Sequence, residues 1–118
     1  VDFNSDEAIY VQLCNQIILG IATSVIREGD SLPSVRQLAD MIGVNMHTVN
    51  KAYSVLKREG YISLDKRRGA VISLDIDKME QLEEMRNQLR IVLARGCCKN
   101  ISRQEVHNLV DEIFDDYE

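Results

Sequence analysis

Apolar residues recur along this chain at a helical period, switch once to a period of two, and return to the helical one. From Ala8 to about Arg27 they fall at Ile9, Leu13, Ile17, Ile21 and Val25, and Val11, Cys14 and Ile18 widen the stripe. That predicts one long amphipathic helix broad enough to pack on two neighbours. Val1 to Glu7 is polar and irregular, with Asn4 or Ser5 placed to cap the helix, while Gln12, Asn15 and Gln16 form its solvated face. Glu28-Gly29-Asp30 reads as a turn. Ser34 with Gln37 is a capping-box pattern just after Pro33, and Val35, Leu38, Ala39 and Ile42 follow at helical spacing. Gly43 stops that helix, because the position after a helix end calls for left-handed backbone. Asn45 is a good N-cap. Val49, Ala52, Tyr53 and Leu56 then make one apolar face that ends at Gly60. Two short helices separated by a few residues with a glycine form a helix-turn-helix.

Beyond Gly60, Tyr61-Ile62-Ser63-Leu64 alternates, Asp65 to Gly69 is a charged turn, and Ala70 to Leu74 reads as a second strand. The expected fold is therefore mainly α with a small β-hairpin (α+β), a winged helix-turn-helix over residues 1–74. Residues 75–118 form a separate two-helix hairpin. Its first helix runs from Asp75 to Arg95 on Ile76, Met79, Leu82, Met85, Leu89, Val92 and Leu93, with Gly96 as the stop and Cys97 to Asn100 as a loop. Ser102 and Glu105 repeat the capping box, and Val106, Leu109, Val110, Ile113, Phe114 and Tyr117 mark the last helix. A pair of helices that small is marginal alone and cannot cover both stripes internally. A second copy covers them most economically, as a two-fold homodimer. Met79, Leu82, Met85, Leu89, Val92, Leu109, Ile113 and Phe114 are the expected dimerisation residues.

The net charge of −5 argues against nucleic acid until it is divided along the chain. Residues 1–74 hold eight Lys+Arg and eight Asp+Glu, while residues 75–118 hold six and eleven, so the excess acid lies in the tail. Between residues 36 and 68 seven basic residues face three acidic ones, a local cationic face able to engage phosphates on an acidic protein. A hydrophobic content of 45% and a charged content of 28% are those of a soluble globular protein. No apolar run approaches a membrane span, and no signal segment precedes the first helix. Three cysteines without a spaced framework suit reduced thiols in the cytoplasm.

Catalytic patterns are missing: no glycine-rich phosphate loop, no HExxH, no GxSxG and no paired carboxylates in a plausible cleft. His47 and His107 lie at no metal-ligand spacing with the cysteines. The expectation is no enzyme, no cofactor and no metal. Adjacent Cys97 and Cys98 attract soft metals in principle, though one thiol in the core and one in a loop explains them as well. Cys14 reads as core packing.

The start of a recognition helix approaches base edges in the major groove. Here it carries Asn45, Met46, His47 and Thr48, followed by Asn50 and Lys51. Asn, His and Thr suit bases or phosphates, Met a thymine methyl, and Lys51 a phosphate. Each has a plainer role: Asn45 as a cap, Thr48 bonded to its own helix, Tyr53 in the core. Arg36 lies outside the apolar set of the first motif helix, next to the Ser34 cap, and suits guanine or a phosphate. Lys66, Arg67 and Arg68, with Gly69, sit at the hairpin tip like a wing reaching the minor groove or backbone. Two arginines on that turn otherwise serve little structural purpose.

The order LPSVRQLADMIGVNMHTVNKAYSVLKREGYI closely resembles the pattern LPSxRxLAxxLGVxxxTVxxAYxxLxxEGxI of GntR-family bacterial transcription regulators. The match runs over about residues 8–73, and the short tail resembles that of the YtrA-like subgroup. The resemblance implies operator binding as a homodimer, with DNA contacts from Arg36, from Asn45 to Thr48, from Asn50, and from Gly69 with its flanking wing residues. Met46 stands where Pro or Arg is common, and His47 where Asn or Thr is. KRRGAVI departs from the usual RGKGTFV, with Arg67 at its first glycine.

Together these readings imply a homodimeric repressor on a palindromic double-stranded operator, with Ser34 counted among the DNA-facing residues. The alternatives are a protein-interaction winged helix in a larger assembly, or a thiol- or metal-responsive regulator acting through Cys97 and Cys98. The sequence names no small-molecule effector, and a two-helix tail leaves little room to enclose one.

Overall fold

The computed structural model describes residues 1–4 and 7–118. Its elements are α1 (Ile9–Ala22), α2 (Val35–Ile42), α3 (Met46–Arg58), β1 (Ile62–Asp65), β2 (Gly69–Ile72), α4 (Lys78–Cys98) and α5 (Arg103–Tyr117). They fall into two compact units, Val1–Asp75 and Ile76–Glu118.

In the first unit, Leu13, Cys14 and Ile17 of α1 meet Leu38 and Ala39 of α2 and Val49, Ala52, Tyr53 and Leu56 of α3. Ile62, Ala70 and Ile72 of the hairpin close the same core. Leu56, Ile72 and Val49 are its largest fully enclosed side chains. The helix-turn-helix follows its sequence signals closely. Ser34 Oγ accepts from the Gln37 N–H at 3.1 Å, and Gln37 Oε1 from the Ser34 N–H at 3.0 Å. Gly43 adopts φ +71°, which glycine tolerates without strain. Asn45 Oδ1 accepts from the His47 N–H at 2.8 Å and opens α3.

The first helix differs from expectation at both ends. Asn4 does not cap it; Ala8 occupies that position without a side-chain bond, and Ser5 lies outside the described residues. Gln12 is more than a solvated residue. Its Nε2 donates to the carbonyls of Glu7 (2.9 Å) and Asp2 (3.0 Å), and its Oε1 accepts from the Asp2 N–H (2.7 Å). The helix ends at Ala22 rather than near Arg27, with Ser24 at φ +62°. The chain then folds back so that Ile26 crosses Gly20, where a Cβ would come within 2.8 Å of Ile26 Cδ1. Ile26 therefore packs where a continued helix would have used Val25, which is left 80% exposed.

β1 and β2 pair antiparallel, with Ile62 opposite Ile72 and Asp65 opposite Gly69. Strict alternation fails on both strands. Leu64 is 62% exposed, whereas Ala70, Val71 and Ile72 are all buried. The cause is a third run of backbone beside β2. Leu32 N–H donates to Ala70 O, Gly29 N–H to Ile72 O and Ile72 N–H to Asp30 O, each at 2.8 Å, and Ser31 bridges to Val71.

In the second unit, Asp77 caps α4 through Glu80, and Ser102 with Glu105 forms the capping box of α5. Gly96 is not a stop: α4 continues through Cys97 and Cys98, and Asn100 takes the left-handed conformation at φ +63°. Ile101 folds over Gly96, its N–H donating to the Gly96 carbonyl at 2.9 Å. Neither helix has a buried residue. No helix among the described residues is long and apolar enough to cross a membrane.

Candidate nucleic-acid interface

The helix-turn-helix presents two capped helix N-termini. At α2, Ser34 and Arg36 are exposed, and Arg36 makes no hydrogen bond or ion pair among the described residues. At α3, Asn45, Met46, His47 and Asn50 are exposed and Thr48 is half-buried. Capping occupies Asn45 Oδ1 and leaves its amide NH2 available. These ends carry the positive pole of the helix dipole and suit anions.

Buried contacts hold that surface in place. Tyr53 of α3 donates its hydroxyl to the Pro33 carbonyl at 2.7 Å, tying α3 to the entrance of α2. Burial pushes the Tyr53 phenol up to about 12. Cys14 donates its thiol to the Ala52 carbonyl at 3.5 Å and so links α1 to α3. Its pKa is raised, first by burial and then by the charge of Glu59.

Lys51 is not wholly free. Its ammonium lies 4.2 Å from the centroid of the Tyr10 ring, a cation–π contact that aims it from α1. Tyr10 shares the α1 face of Leu13, Cys14 and Ile17 and packs against the core, but its spacing does not name Lys51 as a partner.

At the wing, Lys66, Arg67, Arg68 and Gly69 are exposed, and Gly69 has φ +76°. Asp65 Oδ1 accepts from the N–H groups of Arg67 (2.8 Å) and Arg68 (3.1 Å). Those two bonds hold its carboxylate below the usual range. The Arg68 guanidinium donates to the Gly29 carbonyl, so this arginine has a structural task the sequence reading denied it. An aspartate two residues ahead of a turn amide is a legible turn signal; the Gly29 partner is not.

On the second unit, all the expected dimerisation residues are exposed on the single chain, from Met79 at 83% to Ile113 at 41%. Cys97 and Cys98 are free and exposed. Among the described residues no group of three or more His, Cys, Asp or Glu is arranged to hold a metal ion.

Residues 7–72 match the family described as "Bacterial regulatory proteins, gntR family". The chain belongs to the GntR family. It is 34% identical to the HTH-type transcriptional repressor YtrA of Bacillus subtilis, over 98% of this chain and 92% of that one. Among solved structures it resembles a transcriptional antiterminator from Listeria monocytogenes EGD-e (TM-score 0.89, 32% identity, covering 99% of this chain and 90% of that one). It also resembles YtrA from Sulfolobus acidocaldarius, a GntR-family transcription factor (TM-score 0.61, 40% identity, covering 98% and 96%). As a GntR-family protein the chain is a DNA-binding transcription regulator and not an enzyme. Its winged helix-turn-helix is the fold of that family.

Proposed function

We propose that this GntR-family regulator is a repressor that grips a palindromic operator as a homodimer. The observation that carries the reading is the pair of capped, exposed helix starts at Ser34 and Asn45, beside which Arg36 and Asn50 make no hydrogen bond or ion pair among the described residues. α3 enters the major groove with Asn45, Met46, His47, Thr48 and Asn50 towards base edges and Lys51 towards a phosphate. Arg36 reads a guanine or holds the backbone, and the wing lies along the duplex. Residues 1–74 act as the DNA-binding domain and residues 75–118 as the dimerisation tail. Pairing through α4 and α5 removes a continuous apolar surface from water. A two-fold dimer sets the recognition helices about 34 Å apart, one helical turn of DNA. Repression is the activity named for the Bacillus subtilis relative. We read its compartment as the cytoplasm, where its DNA target and its three free thiols agree.

A mobility shift against genomic fragments at two salt concentrations, with the mass measured by light scattering, tests the reading. A preferred fragment bound by a dimer is expected. A monomer that treats all duplexes alike would overturn it, and a dimer without a preferred fragment would point to a protein-interaction module.

A further inference from the structure

We propose that Asp65 and Arg68 are positioning residues of the wing, and that Lys66 and Arg67 are the pair that meets the DNA backbone. The inference rests on the wing contacting DNA, and it divides the basic tip into two roles.

The register places Asp65 opposite Gly69 and leaves only Lys66, Arg67 and Arg68 in the turn. Three charged side chains on so short a loop repel one another and favour an open, unordered tip. Two groups oppose that. Asp65 Oδ1 takes the N–H groups of Arg67 and Arg68, which closes the turn from inside and places one negative charge beneath it. The Arg68 guanidinium reaches back to the Gly29 carbonyl, on the run of backbone that pairs with β2. The tip is thus fastened at its base and on its flank. Arg68 spends a donor on the protein, while the Lys66 and Arg67 side chains have no hydrogen bond or ion pair among the described residues.

Each phosphate neutralised by a cation contributes about 0.9 to the slope of log affinity against log salt. A residue that touches phosphate lowers that slope when removed. A residue that only holds the loop lowers affinity at constant slope, because the same contacts form after a costlier ordering step. Operator affinity of the full chain is measured over a salt series for the parent and for Lys66→Ala, Arg67→Ala, Arg68→Ala, Asp65→Ala and Asp65→Asn. Lys66→Ala and Arg67→Ala should each reduce the slope by about 0.9 per protomer. Arg68→Ala should weaken binding severalfold with the parent slope.

Asparagine keeps the accepting oxygen and removes only the charge, so Asp65→Asn should retain most of the parent's affinity. Asp65→Ala, which loses both, should bind more weakly than Asp65→Asn. Amide exchange at Arg67 and Arg68 should quicken in Asp65→Ala and stay slow in Asp65→Asn. A slope lost with Arg68 as fully as with Arg67 would overturn the division. Equal affinity of the two Asp65 variants would overturn the role of its oxygen. A parent with no salt-dependent affinity for duplex would sink the DNA reading itself, and this inference with it.

Discussion

Replacing Tyr53 by phenylalanine tests whether one hydroxyl fixes α3 to its neighbour α2. The ring is only 6% exposed, and its hydroxyl lies 2.7 Å from the Pro33 carbonyl, directly before the Ser34 cap of α2. Phenylalanine fills almost the same volume, so the change removes one hydrogen bond and leaves a carbonyl without its donor. The net loss near neutrality is about 0.5–1.5 kcal/mol. In a unit of this size each kcal/mol moves the melting temperature by about 4–8 °C. The pH dependence separates this bond from a packing defect. An unfolded chain ionises its tyrosines near pH 10, whereas folded Tyr53 stays neutral up to about 12. A raised pKa contributes stability fully present below pH 10 and lost as the pH climbs towards 12. By pH 11 the parent should have given up about 1.4 kcal/mol through this group alone. A phenyl ring cannot be ionised, so the Tyr53→Phe variant, less stable at pH 8, should match or exceed the parent at pH 11. Urea denaturation of both at pH 8 and pH 11, at one protein concentration, reads the difference directly because every other titrating group cancels. A stability gap of the same size at both pH values would refute the argument.

Arg36→Ala should cost about 1–3 kcal/mol on the operator and flatten the preference for it over random duplex, if Arg36 reads a base; competition binding with both DNAs checks this, and an unchanged preference removes it from the reading set. Leu56→Ala, at a fully enclosed site, should destabilise by about 2–5 kcal/mol. Leu64→Ala should stay within about 0.5 kcal/mol, because the side chain already faces solvent; thermal melts compare the two, and equal losses would contradict the burial of the hairpin. If the proposed homodimer pairs through α4 and α5, Leu89→Asp with Ile113→Asp should yield a monomer by light scattering, since each aspartate would carry a buried, unpaired charge into that surface. A dimer that persists would move the interface elsewhere.

Local signals were the legible part of this chain. The Ser34–Gln37 and Ser102–Glu105 boxes, the Gly43 stop and the Asn45 cap act over three or four residues, so the starts of α2, α3 and α5 and the helix-turn-helix were readable from order alone. The hairpin was readable for the same reason, from a change of period around a charged turn. The misreadings have a common origin in contacts between distant positions. Val25 continued the stripe of α1, but the Ile26–Gly20 crossing ended the helix first. Leu64 alternated correctly, but β1 is the outer strand and buries only Ile62, while the 29–32 segment covers β2. Gly96 looked like a terminator, but α4 runs on through it to Cys98, and the turn comes at Asn100 instead.

By itself the sequence determined the kinds of the elements, the starts of α2, α3 and α5, and the helix-turn-helix, because these depend on period and capping chemistry within a few residues. Only the tertiary structure decided where α1 ends, which hairpin residues are buried, that Tyr10 aims Lys51, and that Arg68 braces the wing against Gly29. Each of those joins groups far apart in the chain. Chain closure brings them into contact, and no local preference encodes such a meeting.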